Sequence, residues 1–85
     1  MNNITWVLEN REDIFYSSHY SFGDIDNGGY CYFDNIYECW YGKCVINRNP
    51  EIFGPTKTKQ EIQLLVEKFY NSQSKEIKKE MWMDD

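Results

Sequence analysis

The sequence predicts an α+β domain in which a small antiparallel sheet of four or five short strands, arranged as a meander, is packed by one C-terminal amphipathic helix. Three observations carry this. Aromatic and β-branched residues dominate as far as Pro50–Pro55, the pattern turns helical after it, and 85 residues suffice for one core and no more. The expected division is a single domain over 1–71 and a polar, helical or frayed tail over 72–85. A chain this short excludes a barrel enzyme, a doubly wound nucleotide fold and a two-domain catalytic cleft.

Taken in order, Ile4-Thr5-Trp6-Val7-Leu8 reads as a strand, and Ile14-Phe15-Tyr16 begins its hairpin partner across the polar turn at residues 9–13. Residues 21–29 (SFGDIDNGG) have loop composition. Three strands follow, Tyr30–Phe33, Ile36–Trp40 and Lys43–Ile46, joined by two-residue turns at Asp34-Asn35 and Tyr41-Gly42, residues that tolerate positive φ. In that register Tyr30, Tyr32, Tyr37, Cys39, Cys44 and Ile46 share one face, and Cys31, Phe33, Ile36, Glu38, Trp40, Lys43 and Val45 the other. Glu51-Ile52-Phe53 makes a short last strand that Gly54-Pro55 ends. Thr58 and Glu61 have the spacing of a capping box, and Ile62, Leu65, Val66, Phe69 and Tyr70 follow as one apolar stripe, which predicts a helix from Lys59 to about Asn71. Ile77, Met81 and Trp82 would anchor any second short helix.

The candidate chemical groups are few. Cys31, Cys39, Cys44 and His19 offer a Cys₃His donor set for zinc, but seven and four residues separate the cysteines, unlike the short knuckles of structural sites. Cys39 and Cys44 would face one another across a Tyr41-Gly42 hairpin, within reach of a disulfide. An odd thiol count favours the reduced state. Asp24-Ile25-Asp26-Asn27-Gly28-Gly29 spaces carboxylates as a calcium loop does, yet position twelve counted from Asp24 is Asn35 rather than a glutamate, so it reads as an acidic turn. No phosphate-binding glycine motif occurs, and the expected complement of metals and cofactors is none. A single histidine with no oxyanion device beside it points away from an enzyme.

Composition carries the functional reading. Aromatic residues reach 18% (7 Tyr, 5 Phe, 3 Trp), and 14 acidic against 9 basic side chains leave a net charge of −5. Such a chain is repelled by phosphate backbones, so direct nucleic-acid binding is disfavoured, whereas a basic protein is attracted. Tyr and Trp are enriched at interface centres. The predicted interface is therefore Asp24, Asp26, Tyr30, Tyr32, Asp34, Tyr37, Glu38, Trp40 and Tyr41. Alanine is absent, while residues with AT-rich codons (Ile, Asn, Lys, Tyr, Phe) abound, as in a low-GC genome or a virus of such a host.

In size, acidity and aromatic content the chain is similar to small phage-encoded inhibitors of host defence nucleases and to bacteriocin immunity proteins, a likeness of composition that covers no motif. It implies a non-enzymatic inhibitor that docks on a larger basic partner, such as a nuclease or another nucleic-acid-binding defence protein, and blocks it. The alternatives are a sponge that stacks a nucleotide-like ligand on the aromatic face, reported by Trp6 or Trp40 fluorescence, and a zinc-stabilised structural domain. The expected location is the cytoplasm (the host's, for a viral protein), with no membrane contact; an open sheet edge leaves room for a homodimer.

Overall fold

The computed structural model describes residues 4–11 and 13–83, with side chains described as far as residue 73. Five strands, β1 (Val7–Leu8), β2 (Tyr16–Gly23), β3 (Gly28–Asp34), β4 (Cys39–Ile46) and β5 (Asn49–Thr56), pair antiparallel in chain order. One helix, α1 (Lys59–Met83), lies across β3, β4 and β5. The fold is thus an α+β meander sheet packed by a C-terminal helix. α1 runs unbroken past Asn71, and the side chains of Ile77, Met81 and Trp82 lie outside the described residues.

The turns expected at Asp34-Asn35 and Tyr41-Gly42 are elsewhere. Asp34 ends β3, and its Oδ1 accepts from the backbone N–H of Ile36 (2.9 Å) and of Tyr37 (3.1 Å). Glu38 closes this four-residue turn at a φ of 54°, its N–H bonded to the Asp34 carbonyl. β4 then passes straight through Tyr41-Gly42, and the next turn is Asn47-Arg48, where φ is positive at both residues as a tight hairpin requires. Arg48 tolerates that conformation with help from Asp26, whose carbonyl accepts its N–H and whose carboxylate pairs with Nε at 3.1 Å.

Displaced turns change the faces. Phe33, Trp40, Gly42, Cys44 and Ile46 stand on the α1 side with Cys31, while Cys39, Tyr41, Lys43 and Val45 stand on the opposite side with Tyr30 and Tyr32. Cys44 and Ile46, expected beside Tyr30, therefore exchange places with Lys43 and Val45. Cys39 and Cys44 lie on opposite faces of one strand, so the cross-hairpin disulfide has no geometry to form.

β2 also extends beyond its expected residues and absorbs part of the supposed 21–29 loop, leaving Asp24–Asn27 as the turn. A bulge between Ser17 and Tyr20, with Ser18 at a φ of 52°, breaks the alternation that a strand normally shows in sequence. β5 runs through Gly54-Pro55, a cis peptide, by a register shift against β4. Pro50 and Pro55 both sit on this outer strand, where no further ladder is formed.

The core forms where α1 meets the sheet. Cys31, Cys44, Ile62 and Val66 are fully buried. Thr58 Oγ1 accepts from the Glu61 N–H while the Glu61 carboxylate accepts from the Thr58 N–H, the capping box read in the sequence. Of the predicted stripe, Leu65 turns outward and Gln63 takes a packing position, donating to Cys31 Sγ at 3.9 Å. Gly29 and Gly42 lie directly beneath the helix, a Cβ on Gly42 falling 2.8 Å from both Ile62 Cγ1 and Val66 Cγ2. Aromatic edges seal the margins, with Trp6 on Phe22, Phe22 on Tyr70 and Phe53 on Phe69. Trp6 Nε1 donates to Glu67 Oε2 at 2.6 Å, which ties the chain just before β1 to the helix.

Candidate functional site

The sheet face turned away from α1 carries the chemistry. Because side chains alternate along each strand, one continuous aromatic row forms across three strands. Tyr16 meets Tyr32 edge-on at 4.9 Å, Tyr32 stacks with Tyr41 at 6.0 Å, and His19 stacks with Tyr30 and Tyr32 at 5.7 and 6.1 Å. Burial pushes the Tyr30 and Tyr32 hydroxyls up from their ordinary range; Arg11 opposes this at Tyr30.

His19 is 3% exposed, held there by the β2 bulge. Its Nδ1 bonds the Tyr30 hydroxyl, which also accepts from Arg11 Nη1 at 2.7 Å, and its Nε2 is buried without a partner. The Arg11 guanidinium lies 5.7 Å from the Tyr30 ring centre and pairs with Glu9 at 3.7 Å. Arginine, tyrosine ring and carboxylate thus make one small stack at the β1 side of the face.

The two ends of this face differ. Asp13 and the exposed side chains Ile14 (85%), Phe15, Ile36 and Tyr37 (76%) gather at the Asn35–Glu38 turn. Asn35 fastens them, donating to the Phe15 carbonyl through its N–H and to the Ile14 carbonyl through Nδ2, while Ser17 donates to its Oδ1. At the other end a groove of about 500 Å³ opens beside the Asp24–Asn27 turn, lined by Glu9, Arg11, Ser21, Tyr30, Lys43 and Val45 among others.

Eight of the nine interface residues read from the sequence fall into three groups. Tyr30, Tyr32 and Tyr41 share the open face. Asp34, Tyr37 and Glu38 lie at one end; Asp34 is 7% exposed and serves the turn rather than the surface. Asp24 and Asp26 lie at the far end, where Asp24 Oδ1 accepts from the N–H groups of Asp26 and Asn27 and Asp26 holds Arg48. Trp40, the ninth, joins none of them: it stands on the helix face against Phe33 at 5.3 Å. Trp6 is on that face too, so the fluorescence of Trp6 and Trp40 reports on the core. Sequence reading missed Ile14, Phe15 and Ile36, which it took for strand residues. It also missed the Arg11–Lys43 groove, whose members are brought together by pairing alone.

The zinc set is divided as well. Cys31 and Cys44 lie under α1, while Cys39 and His19 belong to the open side; no three metal-binding side chains group together among the described residues. Burial pushes the Cys31 and Cys44 thiols up to about 11, away from nucleophilic thiolate. Iodoacetamide at about pH 8 should therefore modify native Cys39 and reach the other two only after unfolding, as intact mass will show. Equal rates at all three would refute the packing. The same shifts make the fold alkali-sensitive. The folded state keeps protons that the unfolded chain releases above roughly pH 8.5, so stability is full below that point and falls as pH rises toward 11.

Comparison of the chain with protein-family models, with curated proteins and with solved structures finds no match.

Proposed function

We propose that this chain is a non-enzymatic interaction module that docks on a larger basic protein through the Asn35–Glu38 end of its open sheet face. The observation that supports this reading is the gathering there of Ile14, Phe15, Ile36 and Tyr37, all exposed, with the exposed carboxylates of Asp13 and Glu38 beside them. Large apolar side chains collected in the open mark interaction sites, and an aromatic anchor inside a charged rim is the usual composition of a binding hot spot. The acidic rim, backed by a net charge of −5, selects and steers a positively charged partner. A basic surface that serves nucleic acid answers this description, and covering it would inhibit its owner.

Two observations support a non-enzymatic role. The imidazole of His19 is buried and engaged by Tyr30, and the Cys31 and Cys44 thiols are shifted away from reactivity.

The test is a pair of variants with unchanged circular dichroism, Ile36→Asp/Tyr37→Asp at the docking end and Ile25→Asp at the far end. Tagged protein recovered from its source cells should carry a stoichiometric basic partner that the double variant loses and Ile25→Asp keeps. Tyr37→Ala alone should weaken that complex by about 2 kcal/mol, roughly 30-fold. Retention by the double variant, or recovery of nothing except a second copy of the chain, would refute the reading.

A further inference from the structure

The groove at the opposite end of the open face has a different chemistry. Tyr30 pairs with Ser21 on one side and Lys43 on the other, so these three side chains stand in one row across β2, β3 and β4. The next row toward the turn is Gly23, Gly28 and Val45. The two glycines of that row let the turn's own backbone pack against it, since a Cβ on Gly28 would collide with the Phe22 and Asp24 carbonyl oxygens, and the groove opens between this backbone and the Tyr30 wall. Arg11 reaches over from beyond β1 and Lys43 rises from β4, so two cations flank one tyrosine ring.

The groove's acids are already engaged. Glu9 pairs with Arg11 through Oε1 and accepts from Ser21 Oγ at 2.6 Å through Oε2. Asp24 Oδ1 is turned onto two backbone N–H groups of its own loop. Lys43, in contrast, makes no ion pair among the described residues. In a chain of net charge −5 the charged side chains lining this groove balance, two cations against two carboxylates, and Lys43 is left free to meet an anion.

We propose that this groove binds a small aromatic phosphate of the size of a nucleoside monophosphate. The volume of about 500 Å³ falls within the range of roughly 300–1,000 Å³ typical of small-ligand pockets. The Arg11 fork and the Lys43 ammonium suit a phosphate dianion, one through directed N–H donors and the other as a point charge. Tyr30, Val45 and Ile25 supply the flat and apolar walls that a base requires. Overall charge selects against longer ligands. A polynucleotide running beyond the groove meets further carboxylates, whereas a mononucleotide places its one phosphate at Arg11 and Lys43. Binding weakens below about pH 6 as the phosphate takes its second proton.

The site is separate from the docking end, and the experiment keeps them apart. Amide ¹H–¹⁵N spectra are titrated with AMP, GMP, CMP and UMP, with adenosine and inorganic phosphate as the two halves of the ligand. At least one nucleotide should shift the Tyr30, Lys43 and Val45 amides saturably and bind more tightly than either half. Lys43→Gln, at a position outside the core, should weaken it at least about tenfold, the worth of one charge-assisted hydrogen bond, and Ile36→Asp/Tyr37→Asp should not. The proposal is overturned by absence of saturable shifts with all four nucleotides, by undiminished binding to Lys43→Gln, or by phosphate alone binding as tightly as the nucleotides.

Discussion

Gly42→Val is expected to cost more than about 3 kcal/mol, the upper end of overpacking effects, in a domain whose whole stability is about 4–13 kcal/mol. Gly42 lies in β4 with neighbours on both sides, and its φ is not in the positive range, so valine meets no backbone penalty there. On an open strand the change would even favour the extended state. The entire cost comes from space: the first added carbon falls 2.8 Å from Ile62 Cγ1 and Val66 Cγ2, and a β-branched side chain has no rotamer that avoids the helix. Urea unfolding measures the loss. A neutral or stabilising result would mean that α1 does not rest on this strand.

Ile62→Ala should cost about 3–4 kcal/mol, within the range for buried Ile to Ala changes. Ile62 is fully buried between Val66 and the β4 glycine, and collapse into the space it leaves is opposed by the aromatic contacts of Phe53 with Phe69 and Phe22 with Tyr70 on either margin. The two sites are coupled. Gly42→Ala by itself crowds Ile62 and Val66, but in an Ile62→Ala background the first of the two crowding carbons has gone and Val66 has room to give way. The double variant should then be less destabilised than the sum of the singles by about 1 kcal/mol. Additive losses would separate the two positions in space.

The helix was the most readable element because its signals are local. Thr58 and Glu61 satisfy one another within a single turn, and Ile62, Val66, Phe69 and Tyr70 recur at helical spacing whatever they pack against. The number of strands and the meander were readable for a similar reason, since Asp, Asn and Gly mark chain reversals. Their positions were less so. Gly42 looks like a turn residue but is a glycine for the sake of the helix above it, a requirement that arises from residues twenty positions away. Arg48 looks like a strand or loop residue and is the second residue of a hairpin turn, held by Asp26 across the sheet. Those two misreadings exchanged Lys43 and Val45 for Cys44 and Ile46, and so concealed the groove. The aromatic row survived in part, because Tyr30 and Tyr32 alternate within one strand and their shared face does not depend on any turn.

Each strand of the sheet is laid beside the one before it, and this sets the order in which the structure can be assembled. No strand must wait for a distant partner, so every hairpin closes a short loop at small entropic cost, a topology associated with fast folding. The core behaves differently. Cys31 and Cys44 stay open to water until Ile62 and Val66 arrive, and those belong to the last element of the fold. A sheet with a wet inner face is marginal by itself, so the docking of α1 is the step that makes ribbon and helix one cooperative unit.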